Sequence, residues 1–331
     1  MPSESSAAAE SPPLPGATPV DETARLTAKI TLLSVSCAAV LVVLKVLAWR
    51  VTGSIATLAS LADSALDLLA SLATFAAVRY AVAPPDREHR YGHGKAEAFA
   101  SLIQAGLVFA SAALVGEDAV QHILHPQPIT SEGWALGVMA VSTVLTGLLI
   151  AAQTRTLKQA NSVAVAGDRA HYAADLGSNI VAFVGIGAAA VLHQSWIDAA
   201  AGLAVTAWLV WGAVNVFREA AFQLMDHELS QEARAQILAL ASDDPRIIDI
   251  HGLRTRAAGP YVHIQMHAAV PAHLTLEDAH HILIAAERRV LQAFPASDIL
   301  IHADPHGRAE PHGGAFAGTT PRAEMDPLEG G

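Results

Sequence analysis

The chain has 331 residues, of which 52% are hydrophobic and only 15% charged, against about 25% charged in an ordinary soluble domain. That balance excludes a purely aqueous protein, and the formal net charge of -11 argues against a nucleic-acid partner. A single cysteine, Cys37, excludes a disulfide framework and a thiolate cluster within one chain, so any metal must be held by His, Asp and Glu.

Residues 1–22 are rich in Ser, Ala and Pro and lack a basic stretch ahead of an apolar core. They are expected to form a disordered tail, not a cleaved signal peptide. Six segments follow that each supply the roughly 20 apolar residues needed to cross a bilayer: 26–49, 56–82, 98–123, 134–153, 171–192 and 196–217. They predict a six-helix transmembrane domain over 23–224. The connection after the second span holds Arg79, Arg87, Arg90 and Lys95, and the one after the fourth holds Arg155, Lys158 and Arg169, whereas the opposite side has essentially only Arg50. The bias of Lys and Arg toward the cytoplasm therefore puts both termini inside the cell, with Trp49, Trp134 and Trp196 at the far interface.

Residues 225–306 alternate charge and apolarity and predict a small α+β domain of ferredoxin-like type. The expected elements are a helix over 231–241, strands over 248–255 and 261–270 around a turn at 258–260, a helix over 276–294 capped by Thr275 with Asp278 three residues on, and a strand over 299–302. Alternation in the second strand predicts one apolar face and one polar face, the latter carrying His263, Gln265 and His267 out to solvent. Residues 307–331, rich in Gly and Pro, read as a disordered tail.

The second and fifth spans are the least apolar. Asp63 and Asp67 lie four apart, on one face of a helix, and two acids in hydrocarbon cost a few kcal/mol each, which marks such residues as functional. The only basic residue deep in a span is Lys45, near the end of its own helix. His171 and Asp175 repeat the four-residue spacing on the fifth span. One imidazole and three carboxylates suit tetrahedral coordination of a divalent ion. Because the ligands bind metal only when deprotonated, protons compete for the same place, and a histidine with an ordinary pKa near 6.5 titrates in the useful range. Asp86, His89 and His93, spaced three and four apart, form a second chelating pattern in the basic loop after span two. His302 and Asp304 can face the same way from a strand end.

The motifs AspSerAlaLeuAsp at 63–67, TyrGlyHisGlyLysAlaGlu at 91–97 and GlyAspArgAlaHisTyrAlaAlaAsp at 167–175 resemble the cation diffusion facilitator family, especially its bacterial zinc/proton antiporters of the ferrous-iron/zinc efflux type. The resemblance runs over about 26–305. It implies a homodimer in the inner membrane with six spans per protomer, a cytoplasmic metallochaperone-like domain, and alternating access driven by protons. It further implies that Asp86, His89 and His93 form a loop metal site; that His251, His267, His280, His302 and Asp304 form a binuclear cytoplasmic site; and that Lys95 and Asp226 form a charge interlock where the protomers meet. A His-containing transport site resembles the zinc, cadmium and iron exporters.

Three other classes compete with a transporter. An intramembrane metalloenzyme would use the same ligands to activate water, but the chain has no HisGluXaaXaaHis. A membrane-tethered sensor would not need paired acids in two spans. A passive channel differs in lacking saturation and coupling to a pH gradient.

Overall fold

The structure, a computed structural model, describes residues 13–53, 55–124, 133–192 and 196–308. The C-terminal tail beyond 308, most of the expected N-terminal tail, the turns at 125–132 and 193–195, and the side chains of Trp134 and Trp196 lie outside the described residues. Two compact units result, one spanning Asp21–Met225 and the other Asp226 onward together with Leu14–Val20.

Among its described residues the first unit holds six long helices: α1 (Val20–Thr52), α2 (Ile55–Ala81), α3 (Ala96–Leu124), α4 (Gly133–Leu157), α5 (Val163–Leu192) and α6 (Trp196–Leu224). Among the described residues α1, α2 and α3 are long and apolar enough to cross a membrane. Large apolar side chains such as Leu32, Val43, Leu69, Ile103, Leu148 and Trp211 are exposed on the outside of this unit, as hydrocarbon-facing side chains would be. Small residues bring the helices close. A Cβ on Gly202 of α6 would come within 2.9 Å of the Ala119 side chain of α3, and one on Gly177 of α5 within 2.6 Å of Trp208, the close approach small residues permit between membrane helices.

Helix α5 starts eight residues before the expected span. Glu97 of α3 is fully buried and accepts a hydrogen bond from Ser162 Oγ at 2.6 Å, while its carboxylate also takes the backbone N–H groups of Val163 and Ala164. A carboxylate on the free N–H groups of a helix start satisfies donors that have no partner within the helix. Gly167, Asp168 and Arg169 therefore stay helical, and His171 lies two turns inside α5, not at its first residue. At the other end, Lys95 donates to the Leu224 carbonyl of α6 at 3.3 Å, a favourable place for a cation.

The second unit runs α7 (Gln231–Ala241), β1 (Asp249–Ala258), β2 (Tyr261–Val270), α8 (Leu276–Ala293) and β3 (Ser297–Pro305). Its sheet has the order β1-β2-β3, with β1 antiparallel and β3 parallel to β2; α8 is the crossover that parallel pairing requires. Among the described residues the sheet has three strands, one fewer than a full ferredoxin-like sheet. Thr275 caps α8 by accepting from Asp278 N at 3.1 Å, as the sequence leads one to expect, and Ser230 likewise caps α7 by accepting from Ala233 N. β3 exceeds its apolar core at both ends because it pairs with the whole of β2, from Val262 opposite Ser297 to Val270 opposite Pro305. One sheet face packs Val262, Ile264 and Met266 against Ile237, Ile282, Val290 and Phe294, where each large buried side chain contributes about 1.5–3 kcal/mol.

The opposite face is less open than alternation predicts. His263 is only 7% exposed, with Nδ1 3.2 Å from Asp298 Oδ2, and His267 is half-buried. Burial holds the His263 imidazole below its usual pKa, although Asp298 pulls the other way. Its unfolded form therefore binds protons more readily than its folded form, so its stabilising contribution is present above about pH 6.5 and is lost as pH falls from there through the lower folded-state pKa. Amide protection factors in β2 and β3, which remove the intrinsic pH dependence of exchange, should fall between pH 7.5 and pH 5.5 in the wild type. In His263→Gln that fall should be smaller, and an equal fall in both would refute the assignment.

The expected tail at 1–22 is shorter than the sequence suggests. Leu14 packs on the core of the second unit, Ala296 N donates to Gly16 O at 3.1 Å, and α1 begins at Val20. Gly16 has φ 79, and a Cβ there would meet Val262 Cγ2 at 2.8 Å, so only glycine fits.

Candidate metal centres

Among the described residues three clusters of ligand atoms form, each with its atoms within 4.8 Å of one another. The first lies between α2 and α5. His171 Nε2 sits 3.1 Å from Asp67 Oδ1 and 3.8 Å from Asp175 Oδ2. A tetrahedral zinc with bonds near 2.0 Å separates its ligands by roughly 3.3 Å, so small adjustments would bring all three onto one ion. Asp63 is not in the cluster; it is exposed, one turn earlier on α2. The fourth ligand expected from the sequence is thus displaced from the other three.

A polar network behind this centre holds α5 in place. Asp168, one turn before His171, is buried and accepts from Gln104 Nε2 at 3.2 Å and from Gln153 Nε2 at 2.8 Å. Gln104 also donates to Thr74 Oγ1, and Gln153 to Ser34 Oγ. The Tyr172 hydroxyl pairs with Ser71 at 2.8 Å. Residues of α1 to α5 therefore meet around one carboxylate, whose amide partners would be left unsatisfied by its removal. Sequence reading missed Asp168 and Glu97; two acids in apolar surroundings were the available signal.

The second centre is in the loop between α2 and α3. Asp86 Oδ2 is 3.2 Å from His93 Nε2, and Asp86 Oδ1 is 3.3 Å from His89 Nδ1. The backbone N–H of His89, then that of Glu88, holds the Asp86 carboxyl below its usual range, so it is ionised at neutral pH. His93 is buried against Tyr80, with ring centroids 4.3 Å apart.

The third centre is a row across the sheet of the second unit, where His251 pairs opposite His267 and His267 opposite His302. Asp304 Oδ2 lies 3.1 Å from both His251 Nε2 and His267 Nδ1, and Asp304 Oδ1 lies 3.4 Å from His302 Nε2. A bulge makes the row possible. The register shifts between His251 and Arg254 at Gly252, whose φ is 63 and whose Cβ would press on His267 Cδ2 at 3.2 Å. Burial lowers the His267 pKa, against the pull of Asp304, which keeps its imidazole neutral and available to a metal. His280 is not among these ligands; it is exposed on α8, with its ring 6.1 Å from that of His281. Asp226, at φ 56, closes α6 in the left-handed conformation and accepts from Arg256 at 3.1 Å.

A cation efflux transmembrane domain matches residues 31–225, and the cytoplasmic domain of cation efflux proteins matches 229–306. A cation-efflux pump FieF of Shewanella oneidensis is 38% identical over 275 residues, covering 82% of this chain and 92% of that protein. The FieF of Salmonella choleraesuis is 33% identical over 283 residues, covering 85% and 93%. A solved structure of CzrB in its zinc form covers 26% of this chain and 98% of that one, at 32% identity and a TM-score of 0.24.

Proposed function

The chain belongs to the cation diffusion facilitator, or cation efflux, family, and from that premise we propose that it exports divalent metal ions, zinc foremost, from the cytoplasm in exchange for protons. Its relatives are cation-efflux transporters, not enzymes, so the metalloenzyme alternative falls. The observation that carries the proposal is the cluster of Asp67, His171 and Asp175 on two apolar helices. A centre whose ligands come from separate helices can change its access as those helices move, and its ligands exchange metal for protons. Cadmium and ferrous iron suit the same donor set. Asp63 would complete it as the fourth ligand when the ion is held.

Six spans are favoured by a parity argument. Leu14 and Gly16, just ahead of α1, bond to the cytoplasmic domain that follows α6, so the chain between them must cross the membrane an even number of times. The Lys and Arg of the α2–α3 and α4–α5 connections support cytoplasmic termini and an inner-membrane location. The polar sheet face with its histidine row supports a homodimer joined through the cytoplasmic domain, where bound zinc would stabilise the assembly. In this reading His280 joins the metal only through a rearrangement, the loop centre is a further metal site, and Lys95 and Asp226 act where protomers meet.

Reconstituted into liposomes with an acidic lumen, the protein should accumulate Zn2+ to saturation and stop when the pH gradient is collapsed. Uptake that rises linearly with Zn2+ and ignores the gradient would instead mark a channel. His171→Asp replaces the one nitrogen donor with oxygen and should lower the preference for Zn2+ over Mn2+ by roughly tenfold. An unchanged ratio in competition flux assays would refute that role.

A further inference from the structure

Between Lys29 and Arg50, α1 carries a single charged residue, Lys45. Its ammonium reaches across to α2, donating to Ser60 O at 3.0 Å and to Ser64 Oγ at 2.6 Å. Ser64 stands between Asp63 and Asp67 in the chain, and the ammonium lies in the electrostatic field of Asp67, Asp63 and Asp175. A half-buried ammonium in a span is costly unless anions repay it, and these three carboxylates do so.

We propose that Lys45 is the resident counter-cation of the transport centre. With His171 neutral, the three carboxylates that act on Lys45 and its ammonium together leave two net negative charges, which one divalent ion cancels. Without Lys45 the centre would carry a third negative charge, would hold the metal more tightly and would release it more slowly. Lys45 thus matches the centre to a single dication and keeps that ion dischargeable. The serine contacts fix the ammonium on α2, so it acts through its field without ligating the ion. This role rests on the reading of Asp67, His171 and Asp175 as the cargo site.

The test is Zn2+ transport by full-length Lys45→Met and Lys45→Gln in proteoliposomes, with Lys45→Arg and Asp67→Ala alongside. A unit charge removed from beside a dication should lower KM for Zn2+ by roughly tenfold, together with a lower maximal rate. Lys45→Arg should bring both back toward the wild type. A lysine that merely props α1 against α2 would lose rate with KM unchanged or raised, and that outcome overturns the proposal. Lys45→Gln keeps a donor for Ser60 and Ser64 and decides the matter should Lys45→Met fail to fold. If Asp67→Ala transports normally, the cargo site itself is misplaced. If Asp67→Ala is silent while Lys45→Gln keeps the wild-type KM, only the counter-cation role falls.

Discussion

Asp67→Ala should reduce Zn2+ flux at least ~100-fold while leaving the protein folded. Of the three clustered ligands, Asp67 alone comes from α2, whereas His171 and Asp175 are one turn apart on α5. Without it the ion can be held on one helix but not between two. The effect should exceed the 10- to 100-fold typical of losing a group that merely orients a ligand. Stability should change little, because removing a costly carboxylate from an apolar span is offset by leaving His171 and Lys45 with one anion fewer. Stopped-flow uptake into proteoliposomes, paired with a thermal melt of the same sample, checks both halves. Flux within twofold of wild type would remove Asp67 from the site.

The second large effect concerns the cytoplasmic domain. Asp304 touches His251, His267 and His302 alike, and it is only 5% exposed. Asp304→Ala takes away the central anion of this row and should weaken zinc binding there by ~100-fold or more. Zinc should then no longer raise the melting temperature of the cytoplasmic domain, because stabilisation by a ligand follows its affinity for the folded form. Flux through the membrane centre should persist, since its ligands lie in the other unit. Full retention of zinc-induced stabilisation in Asp304→Ala would show that the histidine row is not the binding site.

Much of this was legible because the signals were local. Long apolar runs marked the six helices, paired acids marked α2, and the four-residue spacing of His171 and Asp175 put both on one side of α5. The start of α5 was not legible, because it depends on Glu97, more than sixty residues earlier, meeting the N–H groups of a helix whose first two turns contain Gly167, Asp168 and Arg169. The bulge at Gly252 was equally hidden: simple alternation does not say where an extra residue enters a strand, yet that residue sets which β1 side chains join His267. The sequence put Lys45 near the end of its own helix, the one basic residue available deep within a span. Its long side chain reaches the turn of α2 that contains the paired acids, and reach between helices cannot be read along one helix. Asp63 and His280 show the converse limit. Ligand type and spacing placed Asp63 in a metal site, and the family resemblance placed His280 in one, but the conformation of α2 and α8 leaves each apart from its expected partners.

The central claim is that Asp67, His171 and Asp175 hold the metal inside the membrane domain. Zinc stoichiometry and X-ray absorption of the full-length Asp86→Ala/Asp304→Ala protein in lipid nanodiscs test it most directly, because that variant loses the carboxylates of the other two centres. The expected result is one tightly held Zn2+ per chain, bound by a single imidazole and oxygen donors at about 2.0 Å, and released when Asp67→Ala is added. Retention of the ion after that further change, or a spectrum with several imidazoles, would contradict the claim.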